Sequence, residues 1–299
     1  MHARLLAGLT AATFLIHCDL SIATAVRSTC SSQINSCGCT ILNPGEYHVT
    51  TALAESSETQ ECIVVESMSV LFLDRNPISA TPGGDTQTSN GIRLTHGADG
   101  AIVVGGGAMI TGFNNAVLVE NEGTNIGGFR ASNNGTGLFV NFASNVTAYN
   151  FDVSGNAVGI QILHSRQVSL TNFNANNTGS DGVFMSGVSD SQLMSFQASS
   201  SPGSGIYMEL GGCNYVLTAC RELVSQRNRI FGGTLMNNGF TGISLAFFNG
   251  ILAGTDHNQI IGNTLHGNFD GDMDEQNPNC SQNLWAGNTF DTSSEDCVH

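Results

Sequence analysis

Residues 129–208 read FRASNNGTGLFVNFASNVTAYNFDVSGNAVGIQILHSRQVSLTNFNANNTGSDGVFMSGVSDSQLMSFQASSSPGSGIYM. Four phenylalanines mark this stretch at near-constant intervals: Phe129 to Phe151 and Phe151 to Phe173 are 22 residues each, and Phe173 to Phe196 is 23. A second marker keeps the same period: "GLFV" from Gly137, "GIQI" from Gly159, "GVFM" from Gly182 and "GIYM" from Gly205. Two independent markers with one period define a repeat. Units this short bury their apolar faces only against one another, as in a solenoid.

One repeat resolves into three short strands. In "GIQI" the alternation places Ile160 and Ile162 inward. In "VSL" it places Val168 and Leu170 inward, breaks at Asn172, and resumes with Phe173 and Ala175 inward. The residues at the break align from coil to coil as Gly128, Asn150, Asn172 and Ser195. Gly and Asn tolerate a left-handed backbone, so a tight bend is expected there. A leucine-rich repeat needs a Leu-x-x-Leu-x-Leu skeleton that this chain lacks, and a hexapeptide helix would show a shorter period. No amphipathic helical stretch interrupts the pattern.

Outward from the centre, "SVLFLD" from Ser69, "GIRL" from Gly91 and "AVLV" from Ala116 extend the array towards the N-terminus. "GISL" from Gly242 extends it towards the C-terminus. The gap from Gly205 to Gly242 is 37 residues, one period plus about fourteen, and the excess reads as a rim insertion at about 211–229. The expected organisation is a signal peptide at 1–25, a disulfide-bearing N-terminal cap at 26–62, and a β-helix at 63–299 with a disulfide-closed C-terminal end. Eight to ten coils stacked about 4.8 Å apart would extend about 40 Å.

The chain has 299 residues, of which 36 are Gly and 11% are charged; nine Arg and no Lys face 24 Asp and Glu, for a net charge of −15. Nucleic acid and anionic membranes would be repelled by such a surface. Arg4, the apolar run "LLAGLTAATFLI" and Ala23-Thr24-Ala25 read as a secretory signal, and no segment is long enough to span a membrane. Cleavage removes Cys18 and leaves eight cysteines, as suits an exported, disulfide-bonded protein. Local pairing is expected within Cys30, Cys37, Cys39 and Cys62, between Cys213 and Cys220, and between Cys280 and Cys297. The expected location is secreted, periplasmic or at the cell surface.

These repeats, with the "PGEYHV" and "CIVV" opening, resemble the right-handed parallel β-helix proteins of the pectate-lyase-like superfold over roughly residues 60–290. The resemblance implies an all-β, single-stranded solenoid. It also implies an occupation with polysaccharide or glycan, as lyase, hydrolase or epimerase, or alternatively a non-catalytic surface or adhesion role. Fold alone does not choose among them.

The outward positions of the "GIxI" strands form a row: Arg93, Leu118, Phe139, Gln161, Phe184, Tyr207 and Ser244. Phe139, Gln161, Phe184 and the turn residue Asp181 are the candidate substrate-binding residues, a platform for a flat ligand. The competing reading is a surface covered by a loop or a second subunit. Glu209, Tyr207, His164 and Arg166 are the candidate catalytic set, supplying acid, base and charge clamp. "SDGV" at Asp181 resembles the Asn-Thr-Asp-Gly element of β-helix polygalacturonases. The paired Asp, Gly-His-Gly and Arg-x-Lys of that family are missing, so inverting hydrolysis of that kind is not expected. Asp270, Asp272 and Asp274, at alternate positions, are candidate oxygen ligands for a structural Ca2+.

Overall fold

The computed structural model describes residues 28–55, 61–80, 89–211, 224–246, 255–295 and 298. The expected signal peptide, the Cys213–Cys220 segment and Cys297 lie outside the described residues. Among the described residues the chain is a right-handed parallel β-helix made of two sheets. The first holds eleven parallel strands; nine lie within 63–299, where eight to ten coils are expected, and two, Ser28–Thr29 and Cys39–Ile41, precede them. Its central members are Asn115–Val119, Thr136–Asn141, Val158–Leu163, Val183–Ser186, Ile206–Glu209, Thr241–Leu245 and Gly271–Glu275, each paired with the next.

The "GI" marker has a packing cause. A methyl group at Gly182 would sit 2.7 Å from the carbonyl oxygen of Gly205, and one at Gly205 equally close to that of Gly242. Only glycine lets successive coils approach this closely. The second sheet carries the other two strands of each coil. In the central coils these fuse across the bend into Thr147–Asp152, Ser169–Asn174 and Gln192–Gln197. The bend residues Gly128, Asn150, Asn172 and Ser195 have φ of 70°, 52°, 53° and 53°, the left-handed conformation expected of them. Asn172 Nδ2 donates to Asn150 Oδ1 at 2.7 Å, tying one bend to the next.

Phe129, Phe151, Phe173 and Phe196 are buried and stacked, with centroids 5.3, 5.3 and 5.1 Å apart. Inside the turns run columns of amides that satisfy the backbone. Asn238 and Asn268 continue one column to Asp272; Asn228, Asn258 and Asn283 form a second; Asn263 and Asn288 form a third. Within a column each side-chain oxygen accepts the backbone N–H of the residue before it in the stack, an Asn inside the column and Ser191, Ser201 or Gly233 at its start, so buried polar groups are paired.

Residues 28–55 are themselves coiled, because Ser28–Thr29 pairs with Cys39–Ile41 and the latter with Ile63–Val65. Cys30–Cys39 and Cys37–Cys62 are bonded, both within the expected N-terminal group. Cys280 is also disulfide-bonded. Most of the expected insertion lies outside the described residues; beyond them Gln226 bridges Ser189 on the preceding turn.

Candidate functional site

The outward row of the first sheet is in register throughout. Arg93, Leu118, Phe139, Gln161, Phe184, Tyr207, Ser244 and Asp274 face one another coil by coil. Phe139, Gln161, Phe184, Tyr207 and Asp274 are half-buried, whereas Leu118 and Ser244 are buried. Phe184 and Tyr207 stack with centroids 5.9 Å apart and planes 13° from parallel. At the other end of the row, Arg93 is held between Glu61 at 2.8 Å and Glu120 at 2.7 Å.

Carboxylates bracket the aromatic pair. Asp181 lies before its strand and accepts the Ser204 N–H at 2.7 Å. Glu209 ends the Tyr207 strand and accepts from Ser186 Oγ at 3.2 Å. Asp274 lies two coils beyond Tyr207 and accepts from Ser244 Oγ at 2.9 Å. Burial pushes the pKa of Asp181 and of Glu209 up, against hydrogen bonds that favour the charged form. Burial also raises the Tyr207 phenol, helped by the negative charges of Glu209, Asp181 and Asp274. Two carboxyls that hold protons above the ordinary carboxylate range, beside a phenol, can exchange protons with a bound ligand.

His164 and Arg166 lie elsewhere. Both sit on the turn that follows the first sheet, where His164 (φ 47°) stacks on exposed Phe142 (φ 49°) at 4.7 Å. Arg166 bridges Ser144 and Ser189 on neighbouring turns. Together with Ser165 and Gly187 these residues line a depression of about 240 Å³ that includes neither Tyr207 nor Glu209. Of the four expected catalytic residues, the fold brings Tyr207 and Glu209 together and sets His164 and Arg166 on a separate rim.

The three aspartates also diverge. Asp270 is exposed in a turn and Asp274 is on the outward row. Asp272 is buried at the end of an amide column, where it takes the place that Gly242 holds one coil earlier. Asp272, His266 and Asp291 offer ligand atoms within 4.8 Å of one another. Yet the Asp272 carboxylate already accepts four N–H groups, from Asn268 N and Nδ2, Asp291 N and Thr292 N. His266 Nδ1 is paired with Asp291 at 3.0 Å.

The sequence reading missed Asp274 as a member of the row, because the last coils lengthen to 30 residues between Gly242 and Asp272. Aligning "TGISL" with "GDMDE" would have found it. The stack of Phe142 on His164 was missed because a phenylalanine at a left-handed turn position has no compositional signal.

The in-register solenoid with one outward aromatic face defines a parallel β-helix protein of the pectate-lyase-like class. More narrowly, the chain belongs to the NosD family, described as periplasmic copper-binding protein, which matches residues 71–295. Among curated proteins none matches the chain in sequence. Among solved structures it is similar to the Dettilon tailspike protein (TM-score 0.62, 14% identity, covering 83% of this chain and 54% of that one). It is also similar to the periplasmic alginate epimerase AlgG (TM-score 0.55, 10% identity, 83% and 68%) and to pectate lyase Pel9A (TM-score 0.50, 16% identity, 88% and 71%). At these identities the likeness is one of fold, and the chain spans about half the length of the tailspike. No helix among the described residues is long and apolar enough to cross a membrane.

Proposed function

We propose that the chain is an exported glycan-interacting protein that holds polysaccharide along the outward face of its first sheet. The observation that carries this reading is the half-exposed stack of Phe184 on Tyr207 in an in-register row. Pyranose rings present flat C–H faces that pack on aromatic rings, while their hydroxyls need acceptors of the kind that Asp181 and Glu209 supply. The rise of about 4.8 Å per coil approximates the length of a sugar residue, so a chain laid along the axis meets the row at every coil. If the glycan is turned over, Glu209 is the acid and Asp181 its partner, with Tyr207 orienting the sugar. His164 and Arg166 then serve as a second contact on the turn rim.

The NosD description favours a second reading, copper binding. Copper prefers imidazole and sulfur donors. The described residues do not supply such a centre at His266, Asp272 and Asp291, because the Asp272 oxygens are already engaged by four N–H donors. The glycan reading is therefore preferred.

The test is incubation of the full chain with pectin, alginate and glucan, following binding, new reducing ends and unsaturated products. Binding lost in Tyr207→Ala and Phe184→Ala, with or without product, supports the reading. Equal binding by these variants and the parent would refute it.

A further inference from the structure

We propose that this face takes a glycan carrying protonated amino groups, a deacetylated hexosamine polymer, rather than a uronate polymer. The inference rests on the glycan reading and names the substrate class for the same face. It starts from the layout around the aromatic pair. Asp181 stands at one strand end, Glu209 at the other, and Asp274 about 10 Å further along the row, two coils at the usual strand spacing. A sugar seated on Phe184 and Tyr207 therefore has carboxylates on three sides.

No described cation serves that face. Arg93 is locked between Glu61 and Glu120 at the far end of the row. Arg227 is paired with Asp190, and Arg166 lies near that same aspartate on the turn rim. Arg229 lies over Phe231 in the second sheet, and Arg130 is in register with Asp152 there. Arg75 lies beside Gly106. The remaining arginines, Arg4, Arg27 and Arg221, lie outside the described residues, and the chain has no lysine.

A uronate on this platform would bring its carboxylate against three acidic groups with no described cation to clamp it. An ammonium in the same place donates charge-assisted hydrogen bonds to Asp181 or Glu209 and is attracted to the Tyr207 ring face. The tailspike, epimerase and lyase share the fold, and the fold does not settle the sign of the charge that a ligand must carry.

The experiment compares three hexamers of equal length on the full chain by calorimetry: glucosamine, N-acetylglucosamine and galacturonate. The glucosamine hexamer is expected to bind about tenfold or more tightly than its acetylated counterpart, with the galacturonate hexamer weakest. Raising salt to roughly 0.5 M should remove most of that preference. The Asp181→Asn/Glu209→Gln double variant, checked for an unchanged circular dichroism spectrum, should bind the glucosamine and N-acetylglucosamine hexamers alike. Equal binding of the acetylated and deacetylated hexamers, or a tighter galacturonate lost in Tyr207→Ala, would overturn the amino-sugar inference and leave the glycan reading standing. Binding of none of the three, or binding indifferent to Tyr207→Ala, would overturn both.

Discussion

Glu275 is 1% exposed, and its carboxylate accepts from Asn277 N and Nδ2 on one oxygen and from Asn283 Nδ2 and Trp285 Nε1 on the other. Burial pushes its pKa up while these four donors pull it back. A glutamine there must turn an NH2 towards two donors, so Glu275→Gln should lower the unfolding free energy by about 2–3 kcal/mol, read from urea denaturation. Unchanged stability would mean that the amide network closes without a charge. The bend residues permit a second prediction. Asn172 holds φ 53°, so Asn172→Ala should cost about 1–2 kcal/mol, whereas Asn172→Gly should cost much less. At the candidate site the sign of the pH effect follows from the upward shifts of Asp181 and Glu209. The folded state holds these two protons more tightly than the unfolded chain does. That contribution is complete below the unfolded pKa and is lost as pH rises through the folded pKa. Glu209→Gln should therefore flatten the fall in thermal stability as pH rises above about 4, the ordinary Glu value. A variant whose profile parallels the parent's would show that Glu209 is not shifted.

At the scale of strands and ladders, the phenylalanine stack is the element the repeat is built on. Phe173 is 2% exposed and touches rings on both sides. Phe173→Ala should cost about 3–5 kcal/mol, more than the same change at Phe196, for which one stacked ring is seen. Chemical denaturation of the two variants decides it. This stack, the "GI" strands and the left-handed bends were all legible in the sequence, because burial and close approach each impose a residue type at a fixed interval. The amide columns were not. Asn258 and Asn283 inside a turn look, in sequence, like any surface turn asparagine; only the coil stacking reveals that one amide feeds the next. Of the candidate site, the outward row could be read from alternation alone. His164 and Arg166 could not be placed, since they follow the strand at a turn, where period-two alternation ends and direction is set by φ of 47° at His164. The spacing of 30 residues between Gly242 and Asp272 then broke the period, which left Asp274 unassigned to the row that it completes.

For the molecule as a whole, the decisive property is that each coil contacts only its neighbours. Stability is then close to a sum of coil and interface terms, and the open ends are where it is weakest. Among the described residues the first strand is the two-residue Ser28–Thr29, too short to seal a stack by hydrogen bonds alone. Two disulfides sit there, Cys30–Cys39 and Cys37–Cys62. The second spans a sequence separation of 25, for which loop-closure entropy gives a stabilisation of about 3.5 kcal/mol. Cys62 is also tied into the coil boundary, because its carbonyl accepts from Gly38 N at 2.8 Å and its own N–H donates to Asn90 O at 2.9 Å. Mild reduction should therefore unzip the array from this end. Hydrogen exchange is expected to rise first in Cys39–Ile41, Glu46–Val49 and Ile63–Val65, while the strands from Thr136 to Gln197 stay protected. Glycan binding at Phe184 and Tyr207, several coils away, should survive the same treatment. If protection instead falls everywhere at once, the coils form a single cooperative unit and the disulfides hold all of it. If exchange is unchanged, the first coils are held by packing alone, through Ile41, Val49 and Ile63 in the core.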